Sequence, residues 1–287
     1  MDRRTFLAAG VAGLAALAGC SADRSPGPRA GTTARTGELP APSPAPAPPP
    51  PPTPGTPQEI LARSTVPVLC FHQLREFRPD DSPYARTIIT PPAVFTAQLQ
   101  ALRDGGYTTV PGPALIDHLQ FGIPLPERPV LLTFDDGSVT HHSVALPALQ
   151  QFGFVGTFFP MTVVLDKPDW LSREQVRDLD RAGMTIGSHT YDHQRLDRLP
   201  ADQWDIQLAE PAAELAEVVG HPVDLLAYPN GMWSPEALDR AAAAGYRAAF
   251  QLSDPQDVQH PLLTVRRIMP PPTWDGPTLL ARMASDF

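Results

Sequence analysis

From about Ile60 onward the chain alternates short apolar runs with stretches whose apolar residues recur at helical spacing. The runs Val66–Phe71, Pro129–Phe134, Val155–Phe159, Met184–Ser188, Asp224–Tyr228, Tyr246–Phe250 and Leu263–Ile268 have the length and composition of strands. Between them, Pro92–Arg103, Val144–Phe152, Arg173–Ala182, Ala201–Val219 and Pro235–Ala244 read as helices. Ser172 and Gln175 have the spacing of a capping box, and Gly183, Gly220 and Gly245 stand immediately past a helix, where a left-handed cap favours glycine. Buried strands separated by helices predict an α/β domain around a parallel sheet, open or closed into a barrel. In a barrel, the reacting groups belong at the C-terminal ends of strands.

Upstream the pattern stops, and composition takes over. Asp2-Arg3-Arg4-Thr5-Phe6-Leu7 leads into an Ala/Gly-rich apolar run that ends at Ala18, too short for a permanent membrane helix. A charged start, a short apolar run and then small residues have the layout of an export signal. The arginine pair before Phe-Leu resembles the twin-arginine address, and an ordinary signal with the same start fits equally. Leu17-Ala18-Gly19-Cys20 resembles a bacterial lipobox, which implies cleavage before Cys20 and lipid on its thiol; a chance cysteine in an ordinary signal is the competing reading. Residues 1–20 thus read as a lipoprotein signal and residues 21–60 as a stalk, with five consecutive prolines from Pro48 to Pro52. Proline favours extended polyproline II, and Pro40–Pro57 at ~3.1 Å per residue would hold a domain roughly 50 Å from its anchor.

Residues 61–287 remain as one folded domain. With Cys20 lipidated, Cys70 is left alone within an apolar run, so no internal disulfide is expected. The net charge of -9 excludes a nucleic-acid partner and gives no attraction to anionic lipid headgroups. Membrane association is therefore expected through the anchor alone, on the outer face of a bacterial membrane, with the protein a monomer.

Two strand ends carry the candidate chemistry. Val130–Phe134 runs into Asp135-Asp136-Gly137. Adjacent carboxylates raise each other's pKa, a cost that a cation relieves; a surface Asp-Gly turn is the alternative. Met184–Ser188 runs into His189-Thr190-Tyr191-Asp192-His193, where the four-residue spacing predicts two imidazoles on one face of a helical turn. Two histidines and one carboxylate leave coordination positions open, as catalytic metal sites do.

Thr133-Phe134-Asp135-Asp136-Gly137 and His189-Thr190-x-x-His193, with Gly156-Thr157-Phe158-Phe159 and Ile186-Gly187-Ser188, resemble the polysaccharide deacetylase family, the carbohydrate esterases with a NodB-type domain. The resemblance implies a distorted (β/α)7 barrel and a metal-dependent hydrolase that removes N-acetyl groups from an N-acetylglucosamine-containing polysaccharide. It makes Asp135 the base and Asp136, His189 and His193 the ligands of one divalent ion, zinc first, with cobalt, nickel or iron as alternatives. Ala227-Tyr228-Pro229-Asn230-Gly231 takes the place of an Arg-x-Pro-aromatic motif, which implies the Asn230 backbone N–H as oxyanion donor. Ala227 then leaves the usual arginine missing; Arg267 is a candidate replacement, against the reading of a surface arginine. The late histidine usual in the family is missing too. Pro67–His72 resembles the opening strand of the poly-β-1,6-N-acetylglucosamine deacetylase subgroup, which implies His72 as the acid. Other readings are a peptidoglycan deacetylase, an O-acetyl esterase on a xylan-type sugar, a catalytically weak glycan-binding protein, or an oxygen-activating iron enzyme with the same ligand types. His141 and His142 are candidates for the cleft wall, and Trp170, Tyr191, Trp233 and Trp274 for sugar stacking.

Overall fold

Runs that are apolar at every position cannot face water on either side, and these lodge in a closed parallel sheet. The computed structural model describes residues 52–287 together with Gly27 and Gly31; the expected signal, Cys20 and most of the expected stalk lie outside the described residues. The strands are β1 (Val68–Phe71), β2 (Thr108–Thr109), β3 (Pro129–Asp136), β4 (Thr157–Pro160), β5 (Thr185–Ile186), β6 (Leu225–Ala227) and β7 (Ala248–Phe250). β3 is central, pairing in parallel with β1 in the register Phe71↔Phe134 and with β4 in the register Asp135↔Phe159. β2 extends the lower end of β3, β4 pairs with β5, and β6 pairs with β7.

Backbone bonds outside the regular strands complete the ring. The Ser188 N–H donates to the Leu225 carbonyl at 2.8 Å, joining β5 to β6. The Gln251 N–H donates to Val265 at 2.9 Å, and the Cys70 N–H to Ile268 at 2.8 Å, so residues 265–268 link β7 back to β1. With β1, β3, β4, β5, β6 and β7, that segment is the seventh stave, as a distorted (β/α)7 barrel requires. Leu263–Ile268 is not a regular strand as expected: its first residues fall in the tight helical turn Pro261–Thr264, where the Thr264 hydroxyl bonds the His260 carbonyl.

The helices are α1 (Pro57–Arg63), α2 (Ala85–Ile88), α3 (Pro92–Asp104), α4 (Gly112–Phe121), α5 (Leu146–Phe152), α6 (Arg173–Arg181), α7 (Trp204–Gln207), α8 (Ala209–Val219), α9 (Pro235–Ala243) and α10 (Gly276–Asp286). The capping box of Ser172 and Gln175 opens α6 as expected, and Gly183, Gly220 and Gly245 all have positive φ. The single helix expected over Ala201–Val219 is two, broken at Leu208. Pro211 is the cause, because its ring would clash with the Gln207 carbonyl four residues back. Regular structure begins before the expected boundary at residue 60. Pro57 is the first residue of α1, a position suited to proline, Thr56 and Glu59 cap it reciprocally, and Ile60 is buried. Arg63 then donates to the Leu119 carbonyl at the end of α4, tying α1 to the barrel.

Strand parity divides the side chains. Leu132 and Phe134 of β3 pack outward with Phe71, Phe95 and Phe158 under the helices. Val68 and Leu131 pack inside the barrel with Phe159, Phe250 and Val265. The same parity sends Cys70, Thr133 and Asp135 inward.

Candidate metal centre and reaction cleft

At the top of β3 the parity breaks. Asp136 has φ +75°, a conformation few non-glycine residues adopt, and Gly137 follows at φ +86°. A Cβ on Gly137 would stand 2.9 Å from the Pro160 ring, so only glycine permits this turn against β4. The turn sets the Asp136 carboxylate at the rim while its neighbour Asp135 stays inside. His189 leaves β5 toward the same rim, and its Nδ1–H donates to the Ala227 carbonyl at 2.8 Å, leaving Nε2 as a lone pair for the site. The expected helical turn between the histidines is instead an irregular one, with left-handed Thr190 (φ 66°) and His193 (φ 67°). The imidazoles still converge, with ring centroids 4.9 Å apart.

His189 Nε2 and His193 Nε2 lie 3.4 and 3.5 Å from the same Asp136 oxygen, Oδ1. These separations are too long for good hydrogen bonds. Asp136 Oδ1 and His189 Nε2 are buried without a hydrogen-bond partner, and the three donor atoms lie within 4.8 Å of one another. Ligands at ~2.05 Å from a tetrahedral zinc stand about 3.3 Å from each other. The donor set therefore fits one divalent ion. Burial works against the charge on Asp136, but the His189 contact and the nearby His72 and His193 bring its pKa down to about 2. Burial likewise opposes charge on His189, and the Asp135 and Asp136 carboxylates overcome it, raising its affinity for a proton.

Arg267 settles one open question. It is fully buried and grips Asp135 with both arms, Nη1 to Oδ1 and Nη2 to Oδ2, each at 2.7 Å. Its own Nε–H donates to the Gln251 carbonyl at 2.9 Å and Nη1 also to the Thr133 hydroxyl at 3.1 Å, which fixes the fork. The surface reading of this arginine is thus excluded. Burial opposes ionisation of Asp135, yet Arg267 and His189 hold its carboxyl well below the usual range. Cys70, next inward on β1, approaches Asp135 Oδ2 at 3.4 Å; burial pushes its thiol pKa up, so it stays protonated.

A cleft of about 590 Å³ opens above the site, lined by His72, Tyr84, Asp136, Met161, His193 and Asn230 among others. His72 and Asn230 thus share one cavity with the candidate ligands. Asn230 sits at the rim with φ 58°. His141 does not line the cleft: it is buried beneath it and donates from Nε2 to the His72 carbonyl at 2.7 Å. His142 turns away to Asp178. Trp233 is engaged with Gln251 through its indole N–H, and Trp274 packs against the core beside α10. Trp170 lines a separate cavity beside the cleft. Sequence reasoning missed Cys70 as a neighbour of Asp135, although Cys70 and His72 share one face of β1 by parity. It also missed Tyr84, for which the sequence held no signal.

The parallel barrel gathers two histidines and a carboxylate that could hold a metal ion at its C-terminal rim, beside a carboxylate clamped by a buried arginine. Residues 122–249 match the family model for polysaccharide deacetylase. YxkH of Bacillus subtilis (strain 168), named as a polysaccharide deacetylase, is 28% identical over 183 residues, 63% of this chain and 62% of that protein. The poly-β-1,6-N-acetyl-D-glucosamine N-deacetylase of Escherichia coli (strain K12) is 31% identical over 110 residues, covering 33% of this chain and 16% of that one. The chain thus spans less than two thirds of either relative. The deacetylase PplD of Streptococcus pyogenes has the same fold, with a TM-score of 0.70 over 76% of this chain and 97% of that one at 23% identity. Asp135, Asp136, His189, His193 and Asn230 fall inside the matched stretch; His72 and Arg267 lie outside it.

Proposed function

We propose that this protein is a metal-dependent de-N-acetylase of an N-acetylglucosamine-containing polysaccharide outside the membrane, held there by lipid on Cys20. The observation that carries the reading is the pairing of two features on one rim: the convergent donors of Asp136, His189 and His193, and the Arg267-locked Asp135 beside them. A purely glycan-binding protein has no use for that pairing. The two nitrogens and one oxygen suit zinc first.

Bound there, a divalent ion supplies Lewis acidity, polarising the acetamide carbonyl and making water more acidic. Asp135 receives the proton of the attacking water. Arg267 holds Asp135 in orientation and weakens it as a base, a weakness that the acidity supplied by an ion held by Asp136, His189 and His193 would offset. The Asn230 backbone N–H stabilises the developing oxyanion. His72, facing the same cleft, returns a proton to the leaving amine. Its support is the buried imidazole of His141, which holds the His72 backbone.

The early His72 and the barrel-crossing Arg267 favour a β-1,6-linked polymer, the substrate named for the Escherichia coli relative. Acetate release from β-1,6- and β-1,4-linked N-acetylglucosamine oligomers tests the proposal, with Asp135→Asn and His72→Ala compared against the wild type. No release by the wild type with added zinc or cobalt would sink it. Full activity in His72→Ala would remove the acid assignment alone. Membrane attachment is tested separately, by whether Cys20→Ala frees the protein from the membrane fraction.

A further inference from the structure

Gln251, the residue after β7, is fully buried, and both polar atoms of its side chain are committed. Nε2 donates to the carbonyls of Asp254, Pro255 and Thr264 at 2.9, 3.2 and 3.0 Å. Oε1 accepts the indole N–H of Trp233 at 2.7 Å. The amide can face only one way, because a flip would set its N–H groups against the indole N–H and its oxygen against three carbonyls. A buried amide satisfied on both atoms makes a rigid joint.

The joint lies between two parts of the reaction site. On one side stands the turn from Tyr228 to Trp233, which presents Asn230. Asn230 and Gly231 have φ of 58° and 69°, and a Cβ on Gly231 would stand 2.8 Å from the Leu252 nitrogen. A left-handed non-glycine residue costs about 1–3 kcal/mol and persists only where its surroundings hold it. The end of β7 supplies that hold at both ends of the turn. The Tyr228 N–H donates to the Phe250 carbonyl at 2.9 Å, and Trp233 donates to Gln251. On the other side stands Arg267. The Gln251 N–H donates to the Val265 carbonyl at 2.9 Å, the Arg267 N–H to the Leu252 carbonyl at 3.1 Å, and the Arg267 Nε–H to the Gln251 carbonyl at 2.9 Å.

We propose that Gln251 is a positioning residue for the reaction, holding the Asn230 backbone N–H and the Asp135–Arg267 pair in one frame. The proposal rests on the deacetylase reading for what those two groups do. An oxyanion donor and a base act on the same reacting carbonyl, so a displacement of either relative to the other costs rate. Gln251 touches neither the substrate nor the donors of the metal centre; it acts through Trp233 and through Arg267.

Trp233→Phe removes the indole N–H and keeps a ring in place. Two measurements on the zinc-loaded full chain read it: backbone hydrogen exchange, and acetate release from the β-1,6-linked tetramer of N-acetylglucosamine. The amides of residues 230–233 should exchange about tenfold faster relative to those of β3. The kcat should fall about tenfold with KM unchanged, less than the roughly 100-fold or greater loss on deleting an oxyanion donor outright. Gln251→Leu also removes the bond to Thr264 and should speed exchange at residues 265–268; where that variant does not fold, Trp233→Phe alone decides. Unchanged exchange in Trp233→Phe, faster exchange with kcat intact, or a rise in KM alone overturns the positioning role. Faster exchange with no acetate released by any form, the wild type included, upholds the joint and overturns the deacetylase reading.

Discussion

Removing Arg267 should cost the protein its fold stability as well as its reaction. The Asp135–Arg267 pair is bidentate at 2.7 Å, with side chains only 3% and 0% exposed. Unit charges ~4 Å apart attract by about 4 kcal/mol at an effective dielectric near 20, and breaking a buried pair costs about 3–5 kcal/mol because the surviving charge stays buried. Arg267→Met strands the Asp135 charge, while Asp135→Asn strands the Arg267 charge. Each single variant should lose about 3–5 kcal/mol. The double variant strands neither and should lose no more than one single change, a coupling of about 3 kcal/mol. In urea, with a slope of about 3 kcal/mol per molar for a domain of this size, each single variant shifts the midpoint down by about 1–1.7 M. Arg267→Lys keeps the charge but not the fork, and should recover part of the stability with little activity. Strictly additive losses in the double variant would refute this account of the pair.

One zinc should bind per chain and raise the melting temperature, since free metal at ~100 times its Kd contributes about 2.7 kcal/mol; chelation should reverse the rise, and His189→Ala or His193→Ala should abolish it, as metal analysis and thermal unfolding will read. Burial lowers the His141 pKa to about 4 from 6.5, so its contribution to stability is full above pH 6.5 and is lost as pH falls toward 4, a change of about 3 kcal/mol. His141→Gln, which keeps a donor for the His72 carbonyl, should flatten the stability profile in that window when urea midpoints are compared. Gly187→Ala would place a Cβ 2.3 Å from the Phe159 ring and 2.9 Å from the Leu225 carbonyl, and should cost about 1–3 kcal/mol in the same assay.

Six of the seven strands and the convergence of four candidate site residues were legible because each is written locally; the two-residue β2 was too short to show. An apolar run announces a buried strand, and Asp135, Asp136, His189 and His193 sit directly after two such runs. Three of the missed helices have a shared cause. α4 and α10 open with Gly112-Pro113 and Gly276-Pro277, dipeptides that read as turns although proline is well tolerated in the first helical turn. α1 was hidden for the same reason, its Pro57 continuing the proline-rich stretch before it. The shape of the His189–His193 turn was beyond spacing arguments, because Thr190 and His193 take left-handed conformations that only the barrel's packing sustains. Arg267 was a candidate and no more, since its inward direction depends on how residues 265–268 register against β1 and β7.

The adjacent carboxylates, read along the sequence, carry an electrostatic cost that one cation is asked to relieve. The fold divides the problem in two. Because neighbouring residues on a strand point to opposite sides, Asp135 turns inward to Arg267, while the left-handed backbone of Asp136 brings its carboxylate to the histidines. Each carboxylate thus has its own compensation, and neither needs to be protonated near neutral pH. The division has a chemical consequence. A carboxylate stabilised by a bidentate guanidinium is well oriented but a poor proton acceptor, so the proposed role of Asp135 as base would call for the acidifying chemistry that a divalent ion held by Asp136, His189 and His193 would supply. The proposed base is thus oriented by a residue 132 positions further along the chain, Arg267, while its neighbour Asp136 is left to the histidines.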